Sequence, residues 1–148
     1  MLTACSNTPN ITIDETIPSS TYTGRGTNAG PMLVGALGAT GLAVGLAIDQ
    51  GIAKEFDQQI QQYKSVYLPK VAEELFKKNV NTTHVSLQSI KFTAVKGNDD
   101  LVNVNVIFKL VEHVNVSHVE VYLSKIDFKA LKSSAVFWEA LLINLTKK

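Results

Sequence analysis

Residues 31–48 read PMLVGALGATGLAVGLAI, eighteen positions with no charged side chain and four glycines. Pro31 suits a first helical turn, because its missing N–H would have no intrahelical partner there. The spacing predicts a helix from Pro31 with a broad smooth face. Gly35, Gly38 and Gly41 step by three, Gly41 and Gly45 by four, and Ala39, Ala43 and Ala47 continue a small-residue row. Each glycine costs roughly 1 kcal/mol relative to alanine inside a helix, so such a helix needs a compensating contact. Close backbone approach between helices supplies one, which makes Gly35, Gly38, Gly41, Gly45, Ala39 and Ala43 the candidate helix-packing residues. At about 1.5 Å per residue the run reaches roughly 27 Å, the short edge of what spans a hydrocarbon core of about 30 Å. Three readings stay open: a glycine-zipper helix packing in an oligomer or membrane, a buried helix of a soluble domain, and a hairpin-like interfacial segment.

Working toward the C-terminus, the pattern turns amphipathic at once. Ile52, Phe56, Ile60, Tyr63, Tyr67, Val71 and Leu75 step by three or four, opposite a charged and amide-bearing face. Pro69 is expected to kink or split this helix near Leu68, and Lys77 and Lys78 give it a cationic last turn. Three alternating segments follow, around 85–94, 102–110 and 119–123, with a parity slip between Leu87 and Ile90 that predicts a bulge. Lys96-Gly97-Asn98-Asp99-Asp100 is the clearest turn, and a break is expected around 113–117. Ser133-Ser134 offers an N-cap to a closing helix with Trp138, Leu141, Leu142 and Leu145 on its apolar face. The predicted fold is therefore α+β: glycine-rich and amphipathic helices, a three-stranded antiparallel meander, and a C-terminal helix, with the helices on one face of the sheet.

Toward the N-terminus the composition is polar and rich in turn residues. Leu2-Thr3-Ala4-Cys5 resembles the bacterial lipobox, in which small residues precede a cysteine that is acylated. The resemblance covers four residues and further requires a basic, apolar signal ahead of Leu2, with a start upstream of Met1. It implies a lipid anchor on Cys5, and Ser6 after the cysteine implies an outer-membrane, periplasm-facing destination. Residues 1–30 then read as lipobox and tether, 31–50 as the glycine-rich helix, and 51–148 as a small α+β domain. The lipobox, tether and glycine pattern together are similar to glycine-zipper envelope lipoproteins. Such a protein would join the membrane by its anchor and a homo- or hetero-oligomer by its helix.

The remaining residues argue against chemistry. Arg25 is the only arginine and the net charge is +1, a poor basis for nucleic-acid recognition. Cys5 is the lone cysteine, so no thiolate metal cluster or internal disulfide can be drawn. His113 and His118 lie five apart around a turn, unsuited as a metal pair, and no cofactor motif is present. Glu73-Glu74 and Asp99-Asp100 are adjacent pairs without the partners that acid–base catalysis requires. The expected function is a non-enzymatic structural or assembly subunit of the envelope. A soluble periplasmic module binding a small ligand or peptide is the alternative.

Overall fold

The computed structural model describes residues 10–147, so Cys5 and the lipobox lie outside the described residues. In chain order the elements are β1 (Thr12–Ile13), β2 (Thr21–Thr23), α1 (Arg25–Leu37), α2 (Ala39–Lys78), β3 (His84–Val95), β4 (Asn98–Glu112), β5 (Asn115–Asp127), α3 (Phe128–Ser133) and α4 (Val136–Thr146). The architecture is α+β, with a mixed five-stranded sheet rather than a three-stranded antiparallel one. β3, β4 and β5 form the expected antiparallel meander, but β1 and β2 add to the outer edge of β3 in parallel register. Thr12 sits opposite His84, and Tyr22 opposite Phe92. The turn-rich composition of 10–24 hid these two short strands, which need only Ile13 and Tyr22 to turn inward.

The meander follows local rules closely. A register shift between Leu87 and Ser89 places the bulge where parity slips. The β3–β4 connection is tighter than expected, just Lys96 and Gly97, with Gly97 at φ 80°, a left-handed conformation that glycine adopts without strain. The break expected at 113–117 shrinks to His113 and Val114, because pairing resumes at Asn115 opposite Glu112. Further register shifts lie between Ala94 and Val95 and between Val102 and Val104, the latter where Lys125 takes φ 56° and donates its N–H to the Asn103 side chain.

One sheet face carries the core. Val102, Val104, Val106, Phe108 and Leu110 alternate inward along β4, while Asn103, Asn105 and Lys109 point to the wetter face. α2 lays Phe56, Ile60, Val71 and Leu75 on that apolar face, as the three-to-four spacing predicts. It also continues through Pro69 as one helix, so the split expected near Leu68 does not occur. Pro69 is exposed while its neighbours Leu68, Val71 and Ala72 are buried, so the packed side holds the helix across the missing bond. The closing helix is preceded by α3, capped by Asp127 accepting from the Ala130 N–H at 2.8 Å. Ser133 ends α3 and the N-cap of α4 is Ala135, not either serine, although the Ser134 hydroxyl accepts from the Val136 N–H.

Aromatic rings knit the layers. Phe56 meets Phe92 with centroids 4.7 Å apart and Tyr22 edge-on at 5.7 Å, and Trp138 donates its Nε1–H to the Ile60 carbonyl at 3.0 Å. Phe56 is thus shared by the N-terminal strand, the sheet and α2. Replacing Phe56 by alanine is expected to cost about 3–5 kcal/mol, read as a fall in the urea midpoint with an unchanged slope. A loss below about 1 kcal/mol would contradict this packing.

Candidate functional site

The run 31–48 is not one helix. It folds back at Gly38, whose φ of 64° ends α1 and starts α2, so the two helices form an antiparallel hairpin. The Gly38 N–H donates to the Val34 carbonyl at 2.8 Å, and its own carbonyl accepts from the Gly41 N–H at 3.0 Å. The first leg also begins six residues before Pro31, at Arg25, which leaves Pro31 inside α1.

The early start has a physical cause on the other leg. Gly24 is the N-cap of α1 and has no side chain to cap with. The carboxylate of Asp49, on α2, does that work: one oxygen accepts from the Gly26 N–H at 2.7 Å. The other accepts from the N–H groups of Gly24 and Thr27, each at 3.1 Å, and from the Thr27 hydroxyl at 2.5 Å. Asp49 is only 3% exposed. A buried carboxylate with four donors at a helix N-terminus is well compensated, because the orphan amides and the helix dipole both favour negative charge there.

The glycines let the legs approach closely enough for this clamp. A methyl group on Gly26 would fall on the carbonyl oxygen of Gly45, and one on Gly41 would fall on the Leu33 backbone. A methyl group on Gly45 would lie 2.6 Å from the Gly26 oxygen. Gly41, Gly45 and Asp49 are one buried row at i, i+4 and i+8, all turned to α1. Of the six candidate packing residues, then, Gly41 and Gly45 meet within this chain. Gly35, Gly38, Ala39 and Ala43 are exposed, and methyl groups on the first two would meet nothing within 4 Å.

The base of the hairpin is fixed to the sheet. Arg25 lies 3.8 Å over the Phe128 ring, pairs with Asp100 at 2.9 Å and donates to the Asp99 carbonyl at 3.3 Å. Asn28 donates to the Asp99 carboxylate at 3.2 Å. The Asp99-Asp100 pair is thereby occupied in holding the hairpin. The Tyr22 hydroxyl accepts from the Arg25 N–H at 3.3 Å, and burial pushes its phenol up from the ordinary range, keeping the proton on.

Beyond this base the side chains are apolar and exposed on both legs: Met32 is 83% exposed, Leu46 58%, Leu42 56% and Leu37 53%. Exposed apolar residues that cluster in this way mark contact surfaces. None of the described helices is long and apolar enough to cross a membrane. Beside the clamp lies a cleft of about 320 Å³ lined by Ser20, Thr23, Thr27, Asp49, Lys54 and Asp57 among others. Asp57 already accepts from the Ser20 N–H there, at 3.1 and 3.2 Å. Among the described residues no group of three or more histidines, cysteines or carboxylates is placed to hold a metal ion. Glu73 and Glu74 share Lys77 at 3.1 and 2.9 Å, and both hydrogen bonds raise the lysine pKa above its ordinary value.

Sequence reasoning missed Asp49, Gly26 and Thr27. The available signal was Asp49 standing four residues after Gly45, in register with the small row, with Gly24-Arg25-Gly26-Thr27 upstream. Comparisons with protein families, with curated proteins and with solved structures return no match for this chain.

Asp49→Ala is expected to lower stability by about 3 kcal/mol, the size of losing charge-assisted bonds and leaving buried amides unpaired. Amide exchange at Gly24, Gly26 and Thr27 should accelerate while β4 stays protected. Equal acceleration in β4, or none at the three amides, would contradict a local clamp. Gly45→Leu should force the legs apart and give the same local exchange pattern with Asp49 intact.

Proposed function

We propose that this protein is a non-enzymatic assembly subunit of the bacterial envelope, an outer-membrane lipoprotein facing the periplasm and anchored through Cys5. Its α1–α2 hairpin is the element that contacts other subunits. The observation that carries this reading is the uncharged hairpin end, with large apolar side chains in water on both legs above a rigid, sheet-anchored base. A chain that needed the hairpin only for its own folding would turn Met32, Leu37, Leu42 and Leu46 inward or replace them with polar residues. The lipobox-like Leu2-Thr3-Ala4-Cys5 supports the anchor.

The second reading is a binding module for a small ligand or peptide, favoured by the hydroxyl-lined cleft between residues 19–23 and α2. Its volume of about 320 Å³ falls at the small end of ligand pockets.

Fatty-acid labelling of the full-length protein in cells should be lost in Cys5→Ala; equal labelling of the two, or labelling of neither, would refute the anchor. Photo-crosslinking residues at Leu42 and Leu46 should trap envelope partners, whereas one at Asn105 on the open sheet face should not. Trapping only at Asn105 would move the contact surface off the hairpin.

A further inference from the structure

We infer that the cleft beside the clamp binds a zwitterion the size of one amino acid, its ammonium on Asp57 and its carboxylate on Lys54. This rests on the binding-module reading of the same cleft and names the ligand class. The cleft arises where one partner is missing between two elements that otherwise run in step. Four residues of helix rise about 6 Å and two residues of strand about 6.6 Å, so α2 and residues 20–24, running in opposite directions, can meet once per helical turn. Asp57 accepts from the Ser20 N–H and Asp49 from the Gly24 N–H. Backbone groups of alternate strand residues point to the same edge, so the Tyr22 N–H and C=O turn toward α2 as well, the other edge of β2 being paired with β3. The helix position between the two aspartates is Ala53, which has no polar side chain to offer. The cleft of about 320 Å³ lies at this gap, lined by Tyr22 and Ala53 together with Leu46, Gln50, Lys54 and Asp57.

The opening selects the size of the ligand. Asp57 and Asp49 occupy the strand edge at Ser20 and Gly24, so a peptide strand has no room to add there and the edge is open for a single residue. The charges select its chemistry. Lys54 and Asp57 stand three apart on α2, which puts their Cβ atoms about 5–6 Å from each other. Among the described residues neither takes part in an ion pair. Asp49 is spent on four donors, whereas Asp57 shares one backbone N–H between its two oxygens, at 3.1 and 3.2 Å, and keeps lone pairs for a further donor. A free amino acid carries both complementary charges close together. Its ammonium answers Asp57, its carboxylate answers Lys54 and the Tyr22 N–H, and an aliphatic side chain lies against Leu46 and Ala53. An amine or a carboxylic acid alone answers one end and leaves the other charge without a partner.

The test titrates L-leucine into the isotope-labelled full chain, beside its decarboxylated and deaminated analogues, isoamylamine and isocaproic acid. Leucine should shift the amide signals of Tyr22, Thr23 and Lys54 saturably, and each analogue should bind at least about tenfold more weakly. Asp57→Asn keeps an acceptor for the Ser20 N–H, so the melting temperature should hold while leucine binding weakens about tenfold. Lys54→Gln, at an exposed position, should weaken it several-fold, and this variant decides the matter where Asp57→Asn disturbs the fold. Analogues that bind as tightly as leucine, or leucine binding indifferent to both substitutions, overturn the zwitterion and leave a binding cleft standing. So does a set of short peptides or sugars that shifts these three amides when leucine does not. No shift at these amides with any of the compounds overturns this proposal and the binding-module reading together, and leaves the assembly reading, which rests on the hairpin, untouched.

Discussion

A single carboxylate, that of Asp49, ties the N-terminal third of the chain together. It caps α1 from the neighbouring helix, and in doing so it fixes where α1 starts, how the legs align and which side of each leg faces outward. The charge is tolerable in the interior because four donors surround it at the positive end of a helix. Those donors reach it because Gly26 and Gly45 have no side chains to hold the backbones apart. Glycines that weaken each helix in isolation are thus what allows the pair to form, and the helix cost is offset by the backbone approach and the clamp.

From that clamp the chain is held to the sheet at several levels. Arg25 and Asn28 reach the β3–β4 turn, Tyr22 enters the aromatic core, and Ser20 and Glu15 are tied to α2. A segment with the composition of a tether thereby covers one edge of β3, an edge that would otherwise present unpaired backbone groups. The apolar part of the hairpin beyond the base makes no such contacts. The fold therefore presents an uncharged, apolar hairpin end on a base fixed to the sheet.

How much of this the residues disclose depends on the range of the interaction. The meander, its bulge and the inward stripe of α2 are written in periods of two and about 3.6, and each was legible. The parallel strands β1 and β2 were not, since two- and three-residue strands have too few positions to show alternation, and their partner β3 lies some seventy residues on. The hairpin was half legible. Gly41 and Gly45 announced close packing, but the same row could face a second chain or this one, and the answer depended on Asp49 meeting amides more than twenty residues upstream. Helix starts are normally read from the residue just before them, and here that residue is Gly24 with its cap supplied from elsewhere. Ala39 and Ala43 lie outside that contact because Gly41 and Gly45, two residues on, take the side that meets α1.

The central claim is that residues 25–48 form a closed hairpin held by Asp49. The most direct test is the distance between nitroxide labels at Asn28 and Ala47, one on each leg, in the full chain with Cys5→Ser. Packed helices have axes about 8–10 Å apart, so the hairpin predicts a narrow distribution at roughly 10–20 Å that broadens and lengthens in Asp49→Ala. A single continuous helix would separate the two positions by about 28 Å. A distance near that value, or a short one indifferent to the loss of Asp49, would contradict the account.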